Sequence, residues 1–139
     1  MSEKELQQKM LEYQMLEEKF KQMNQQRELF AEKMMELEQT RQVVEEMKKS
    51  KKEDDVIIPL GSGLFLPGKI DKKEKMVIGI GADIVVEKDF EGVNKILEER
   101  KEILENGIEN LQNNMLQIAQ EMQKIQTEFQ KMMPEQQAG

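Results

Sequence analysis

The apolar residues of this chain fall into two long runs that recur at steps of three and four, separated by a short middle in which they alternate or cluster between glycines and prolines. The first stripe passes through Leu6, Tyr13, Leu16, Phe20, Met23, Phe30, Met34, Leu37 and Val44, with Lys9, Arg27 and Arg41 as polar interruptions. The second passes through Leu97, Leu104, Ile108, Leu111, Met115, Ile118, Met122, Ile125, Phe129 and Met132. A 3.5-residue repeat gathers such side chains on one narrow face, which two helices bury against each other by knobs-into-holes packing. The runs occupy residues 6–48 and 90–132, so at 1.5 Å per residue each is a helix of roughly 65 Å. Equal lengths and a short connection predict an antiparallel coiled-coil hairpin.

Residues 1–47 contain no Gly or Pro and are rich in Glu, Gln, Lys, Met and Leu, all good helix formers. The run "KKSKKEDD" ends the periodicity and reads as a solvated turn, its lysines suited to the negative end of a helix. From Val56 the pattern changes to "VIIPL", "LFLPGKI", "KMVIGI" and "DIVVEK", which predicts four strands at 56–60, 64–70, 76–80 and 83–87. Gly61, Gly63, Gly68, Gly79 and Gly81 fall in this window, and "GSG" and "GIGAD" read as hairpin turns. Pro59 and Pro67 lack the N–H that a central strand donates, so their strands belong at edges or carry bulges. The second helix begins near Asp89 as N-cap, with Glu91 in its first turn, and stops at Pro134. Gly107 lies inside it at a cost of about 1 kcal/mol relative to Ala, and nothing in the sequence assigns it a role.

The expected class is therefore α+β: a long antiparallel coiled-coil hairpin with two β-hairpins between the helices. The whole chain, 1–139, reads as one domain, with a helix at 1–48, hairpins at 56–87, a helix at 90–133 and a frayed tail at 134–139. Strands this few cannot bury a core by themselves, and their open edges invite another chain. The middle segment is thus expected to be an oligomerisation module.

Composition narrows the functions available. With 35% charged and only 4% aromatic residues among 139, most burial must come from the thin helical seam rather than from a large core. A formal charge of −7 argues against the basic stripe that phosphate backbones require, so no nucleic acid is expected as partner. Cys and His are absent, which removes disulfides, thiolate nucleophiles, imidazole bases and the usual zinc or iron ligands. Residues 1–10 carry no apolar signal core, and no stretch approaches the ~20 apolar residues of a membrane span. A soluble, cytoplasmic protein with no membrane partner is expected.

Candidate chemistry is close at two places and fails at both. Gly63 to Lys69 matches the first seven positions of the phosphate-binding pattern GxxxxGK[ST]. Ile70 stands where the magnesium-binding hydroxyl belongs, and the turn "DKKEK" and a strand follow instead of a helix. "GIGADI" opens like a dinucleotide fingerprint but has Ile84 in place of the third Gly. Glu53, Asp54 and Asp55 lack the spaced ligands and turn Gly of a calcium loop. No catalytic residue, metal site or cofactor is expected, and carboxylates spread over helix surfaces give acid–base chemistry no pocket. More informative are apolar residues off the seam: Met10, Leu11 and Met15 near one terminus and Met133 near the other. Antiparallel pairing brings these regions together at the open end of the hairpin, where methionine side chains suit adaptable binding of exposed hydrophobic chain.

The order helix, two β-hairpins, helix, together with "PLGSGLFLPGKI" at 59–70 and "VIGIGADIVVEK" at 77–88, resembles the alpha-class subunit of prefoldin, of the archaeal type. Four strands point to the alpha class, since beta-class subunits of that family have a single hairpin. The resemblance implies a hetero-hexamer of two alpha and four beta subunits whose hairpins form a β-barrel body carrying six coiled coils. It also implies ATP-independent capture of unfolded client proteins at the coiled-coil tips and their transfer to a group II chaperonin. Carried onto this sequence, the tips are Leu6, Met10, Leu11, Tyr13, Met15, Phe129, Met132 and Met133. The oligomer interface is Val56, Ile57, Ile58, Leu64, Phe65, Leu66, Ile70, Val77, Ile78, Ile80, Ile84, Val85 and Val86. The competing class is a structural coiled-coil spacer or tether.

The absence of a phosphate site has a direct check. Lys69→Ala is expected to leave protection of an aggregating client unchanged, and calorimetry with ATP and magnesium is expected to show no heat of binding. Micromolar affinity for ATP would overturn the reading.

Overall fold

The computed structural model describes residues 2–49, 54–70 and 75–132. The elements in chain order are α1 (Glu3–Lys49), β1 (Asp55–Gly61), β2 (Leu64–Lys69), β3 (Met76–Gly81), β4 (Ile84–Lys88) and α2 (Phe90–Met132). These residues form two compact units, one holding α1 up to Lys33 with α2 from Leu104, the other Met34–Ile103. The charge run at 50–53, the turn at 71–74, Met133 and the tail lie outside the described residues.

In the first unit the helices run antiparallel: Lys9 meets Glu128, Tyr13 meets Gln126 and Phe30 meets Gly107. Ser2 caps α1, its Oγ accepting from the Glu5 amide at 3.3 Å, which fills one of the four donors a helix N-terminus leaves open. Leu111, Met115, Ile118 and Ile125 of α2 are buried, whereas the seam residues of α1 remain half-buried. The asymmetry follows from the side chains. α1 places Lys9, Arg27 and Met23 along this part of its stripe, and Arg27 turns back to donate to Asn24 Oδ1 at 2.6 Å. Gly107 now has a role. A Cβ built there would lie 2.7 Å from Phe30 Cε2 and 3.1 Å from Cδ2, so the missing side chain is the hole into which the Phe30 ring fits.

In the second unit Val44, Val93 and Leu97, each 3% exposed, form a cluster joined by Leu37, Phe90, Met76 and Ile78. Val93 is a core residue that the 3.5-residue ladder does not mark. Asp89 is the N-cap of α2, as its position before the helical run predicts: its Oδ1 accepts from the Gly92 amide at 2.7 Å and its carbonyl from Val93 at 2.9 Å. Arg41, a polar interruption of the first stripe, pairs with Glu98 at 3.1 Å, and Asn94 donates to Glu45 at 3.4 Å.

The strands make two separate antiparallel hairpins, β1–β2 and β3–β4. Their registers are the same pattern shifted by twenty residues: Val56↔Gly68, Ile58↔Leu66 and Gly61↔Leu64 in the first match Met76↔Lys88, Ile78↔Val86 and Gly81↔Ile84 in the second. Each has an irregularity before its turn and positive φ through it, at Gly61, Ser62 and Gly63, and at Gly81, Ala82 and Asp83. Asp83 therefore belongs to the turn, and β4 starts one residue later than the hydrophobic run suggests.

Gly107→Ala gains about 1 kcal/mol of helix propensity but forces a ring in a packed seam to move, typically at a cost of about 1–3 kcal/mol. A lowered thermal midpoint by circular dichroism is expected, with most of the loss recovered when Phe30→Leu is added. A midpoint raised by Gly107→Ala alone would show that the ring yields freely.

Candidate functional sites

Adjacent residues of a strand face opposite sides, and cross-strand partners share a side. On the first hairpin Val56, Ile58, Leu66 and Ile70 therefore occupy one face, and Ile57, Pro59, Phe65 and Pro67 the other. Both faces are apolar and largely exposed among the described residues: Ile57 is 68% exposed and Phe65 57%, while Ile58, Leu66, Leu60 and Leu64 are also exposed. Only Val56, Gly68 and Ile70 are half-buried.

The second hairpin differs. Met76 and Ile78 press one face onto the Val44, Val93 and Leu97 cluster, Val86 is half-buried, and Arg100 of α2 donates to the Gly79 carbonyl. The opposite face is open, with Val77 65% and Val85 62% exposed, and Ile80 and Ile84 exposed at the turn end. Of the proposed interface residues, Ile78 thus serves the chain's own core. Val56, Ile70 and Val86 are half-buried, and the remaining ones present exposed apolar surface.

The residues at the free helix ends divide in two. Leu6, Tyr13, Phe129 and Met132 are half-buried in the seam, whereas Met10, Leu11 and Met15 are exposed; Met133 lies outside the described residues. Tyr13 accepts a hydrogen bond from Gln126 Nε2 at 2.8 Å and helps line a shallow open groove with Phe20, Ala119, Met122 and Gln123. Lys9 stands between Glu12 and Glu128, at 3.8 and 3.5 Å. Exposed apolar side chains are not confined to these ends: Leu29, Met35, Val43, Ile103 and Leu116 also face outward along the helices. Their positions off the 3.5-residue stripe were the available signal.

Among the described residues no group of three or more acidic side chains is arranged to hold a metal ion. A polar groove lined by Glu38, Arg41, Gln42, Glu45, Glu46, Asn94 and Lys101 is open and mixed in charge. No described helix is long and apolar enough to cross a membrane. What the arrangement offers is uncovered hydrophobic surface held by rigid helices.

Known proteins share this arrangement. The family model described as prefoldin subunit matches residues 14–135. The chain is 34% identical over 100 residues to prefoldin subunit alpha of Nitrosopumilus maritimus, covering 72% of this chain and 68% of that protein. It is 31% identical over 98 residues to prefoldin subunit alpha of Pyrococcus horikoshii, covering 70% and 66%. Among solved structures, the cryo-EM structure of filamentous PFD from Methanocaldococcus jannaschii aligns with a TM-score of 0.76 and 17% identity over 84% of this chain and 96% of that one, a likeness of fold. Two helices flanking two β-hairpins, a family match over nearly the whole length and alpha-subunit relatives together show that the chain belongs to the prefoldin family, as a chaperone subunit of the archaeal alpha type.

Proposed function

We propose that the chain works as an ATP-independent holdase subunit, joining other subunits through its hairpins and holding unfolded protein at its free helix ends. The observation that carries this is the uncovered apolar surface in each unit: the hairpin faces in one, and Met10, Leu11 and Met15 in the other. The assembly is a hetero-hexamer of two alpha and four beta subunits with a β-barrel body, and the client passes to a group II chaperonin in the cytoplasm. Several apolar side chains at one helix end contribute about 1.5–3 kcal/mol each, most of which the cost of ordering two partners offsets. Weak single sites repeated around one complex gain avidity by multivalency, and release proceeds one arm at a time. No nucleotide is needed for that cycle.

Assembly has a specific test. Val77→Asp with Val85→Asp places charges on the open face of the second hairpin, where the isolated chain tolerates them and a buried interface does not, at a cost of several kcal/mol, about 2–5. Sedimentation velocity is expected to show the complex with a beta-type subunit lost while helical circular dichroism is kept. Unchanged assembly would exclude the hairpin interface.

Capture is tested at the helix ends. Changing Met10, Leu11, Met15 and Met133 to Gln or Ser keeps most of the helix propensity and leaves the buried seam intact. Light scattering of an aggregating client is expected to show weaker protection by an intact complex, and weaker still when the beta arms are trimmed as well. Full protection with all tips made polar would favour a spacer or a binding site in the body.

A further inference from the structure

The chain has 12 methionines and no cysteine, so its thioethers are its most readily oxidised side chains. Access sorts them. Among the described residues Met10, Met15 and Met35 are exposed, at 49%, 65% and 66%, while the other methionines are half-buried or, like Met115 at 5%, buried. A methionine in the seam meets a dissolved oxidant only when the helices part locally. The three exposed ones meet it in the folded chain.

Position divides these three again. Met10 and Met15 lie in the unit that holds the free helix ends, and Met35 lies in the other. Leu11 and Met15 are four residues apart on α1 and so share one strip of its surface, with Met10 next to Leu11. These are the side chains by which the helix end is proposed to hold unfolded protein. A thioether suits that task because it is apolar and repacks readily. Oxidation removes the first property. The sulfur attacks one oxygen of a hydroperoxide, an S–O bond forms as the O–O bond breaks, and the departing hydroxide takes the proton of the transferred oxygen and leaves as water. Sulfur gives up two electrons and the peroxide gains them. The product is a polar sulfoxide on a surface whose binding depends on apolar area.

We infer that Met10 and Met15 are modification sites at which a hydroperoxide weakens client capture while the fold is kept. The inference rests on the capture reading above and adds its regulation. Exposed helix positions tolerate a polar side chain, so sulfoxides at Met10 and Met15 cost the coiled coil little. The same product at Met115 sets a polar group in the buried seam and destabilises the helix pair, but burial makes it the slow reaction. Reversal follows the same order, because a methionine sulfoxide reductase needs access to the side chain it reduces. Exposure thus confines a mild oxidant to the grip and spares the scaffold.

The test uses the complex reconstituted with a beta-type prefoldin subunit, exposed briefly to hydrogen peroxide and then freed of it by catalase. Peptide mass spectrometry is expected to find Met10, Met15 and Met35 oxidised on the order of tenfold faster than Met115. Light scattering of an aggregating client is expected to show that about threefold more treated complex is needed for the same protection, since unmodified contacts still supply avidity. Helical circular dichroism and sedimentation are expected to stay unchanged, and methionine sulfoxide reductases for both epimers to restore protection. Each variant is compared with its own untreated sample, so oxidation of the beta subunit is common to all. Met10→Leu with Met15→Leu removes both sulfurs and is expected to lose most of the sensitivity, whereas Met35→Leu keeps it. Equal oxidation rates at Met10, Met15 and Met115, sensitivity undiminished by the paired substitution, or sensitivity abolished by Met35→Leu would overturn the inference. Untreated Met10→Gln with Met15→Gln separates it from the capture reading. If that variant protects poorly while the treated original chain protects fully, capture stands and oxidative control falls. If both protect fully, both fall.

Discussion

The seating of the second hairpin on Val44, Val93 and Leu97 is the contact on which the rest of this unit depends. It joins the two helices to each other and gives one of the four faces of the two hairpins a cover. Burial of this kind stabilises by about 25 cal/mol per Å² of apolar surface removed from water, and a two-stranded sheet with neither face covered has no comparable source of stability. The first hairpin repeats the second in register and turn geometry, yet Ile58 and Leu66, the equivalents of Ile78 and Val86, are exposed and no described residue covers them. The proposed assembly supplies the cover that this hairpin lacks.

The coiled coil meets a different problem. Methionine-rich stripes pack adaptably, which leaves the relative sliding of two helices weakly specified. In the first unit the Phe30 ring in the gap at Gly107 provides a marker that occurs once. Moving one helix by a heptad sets Phe30 against Arg100 or Asn114 instead, neither of which leaves room for a ring at the backbone. The lost helix propensity at Gly107 is offset by a contact that only one alignment can make.

The helices, the hairpins and the N-cap at Asp89 were legible because each rests on a local rule: heptad spacing, alternation between turn residues, and a side-chain oxygen before the first helical turn. Pro59 and Pro67 were legible as edge residues for the same reason, since a missing N–H has few places to go. What escaped depends on contacts between distant residues. Val93 sits off the ladder because it faces the strands as well as α1, and Gly107 has meaning only once Phe30 is opposite it. The hairpin residues read together as one interface separate into Ile78, which faces the chain's own helices, and Val77 and Val85, which face away. Single-sequence alternation distinguishes two faces but cannot say which one the helices take. At the helix ends, Met10, Leu11 and Met15 stood out by being off the stripe, yet the same criterion also selects Leu29, Met35, Val43, Ile103 and Leu116.

The order in which these elements are synthesised gives the prolines a further consequence. The ribosome releases β1 and β2 before any of α2 exists, and in that interval α1 has no partner helix and neither hairpin has a seat. Exposed strands with apolar side chains on both faces are then most prone to pair with neighbouring nascent chains. The hairpin that emerges first is the one with Pro59 and Pro67 on its two edges. The hairpin whose strands carry no proline, β3–β4, emerges last, immediately ahead of the helix whose Val93 and Leu97 complete its seat. Proline thus guards the hairpin that waits longer for α2, and the one without it gains a cover on one face as soon as α2 follows.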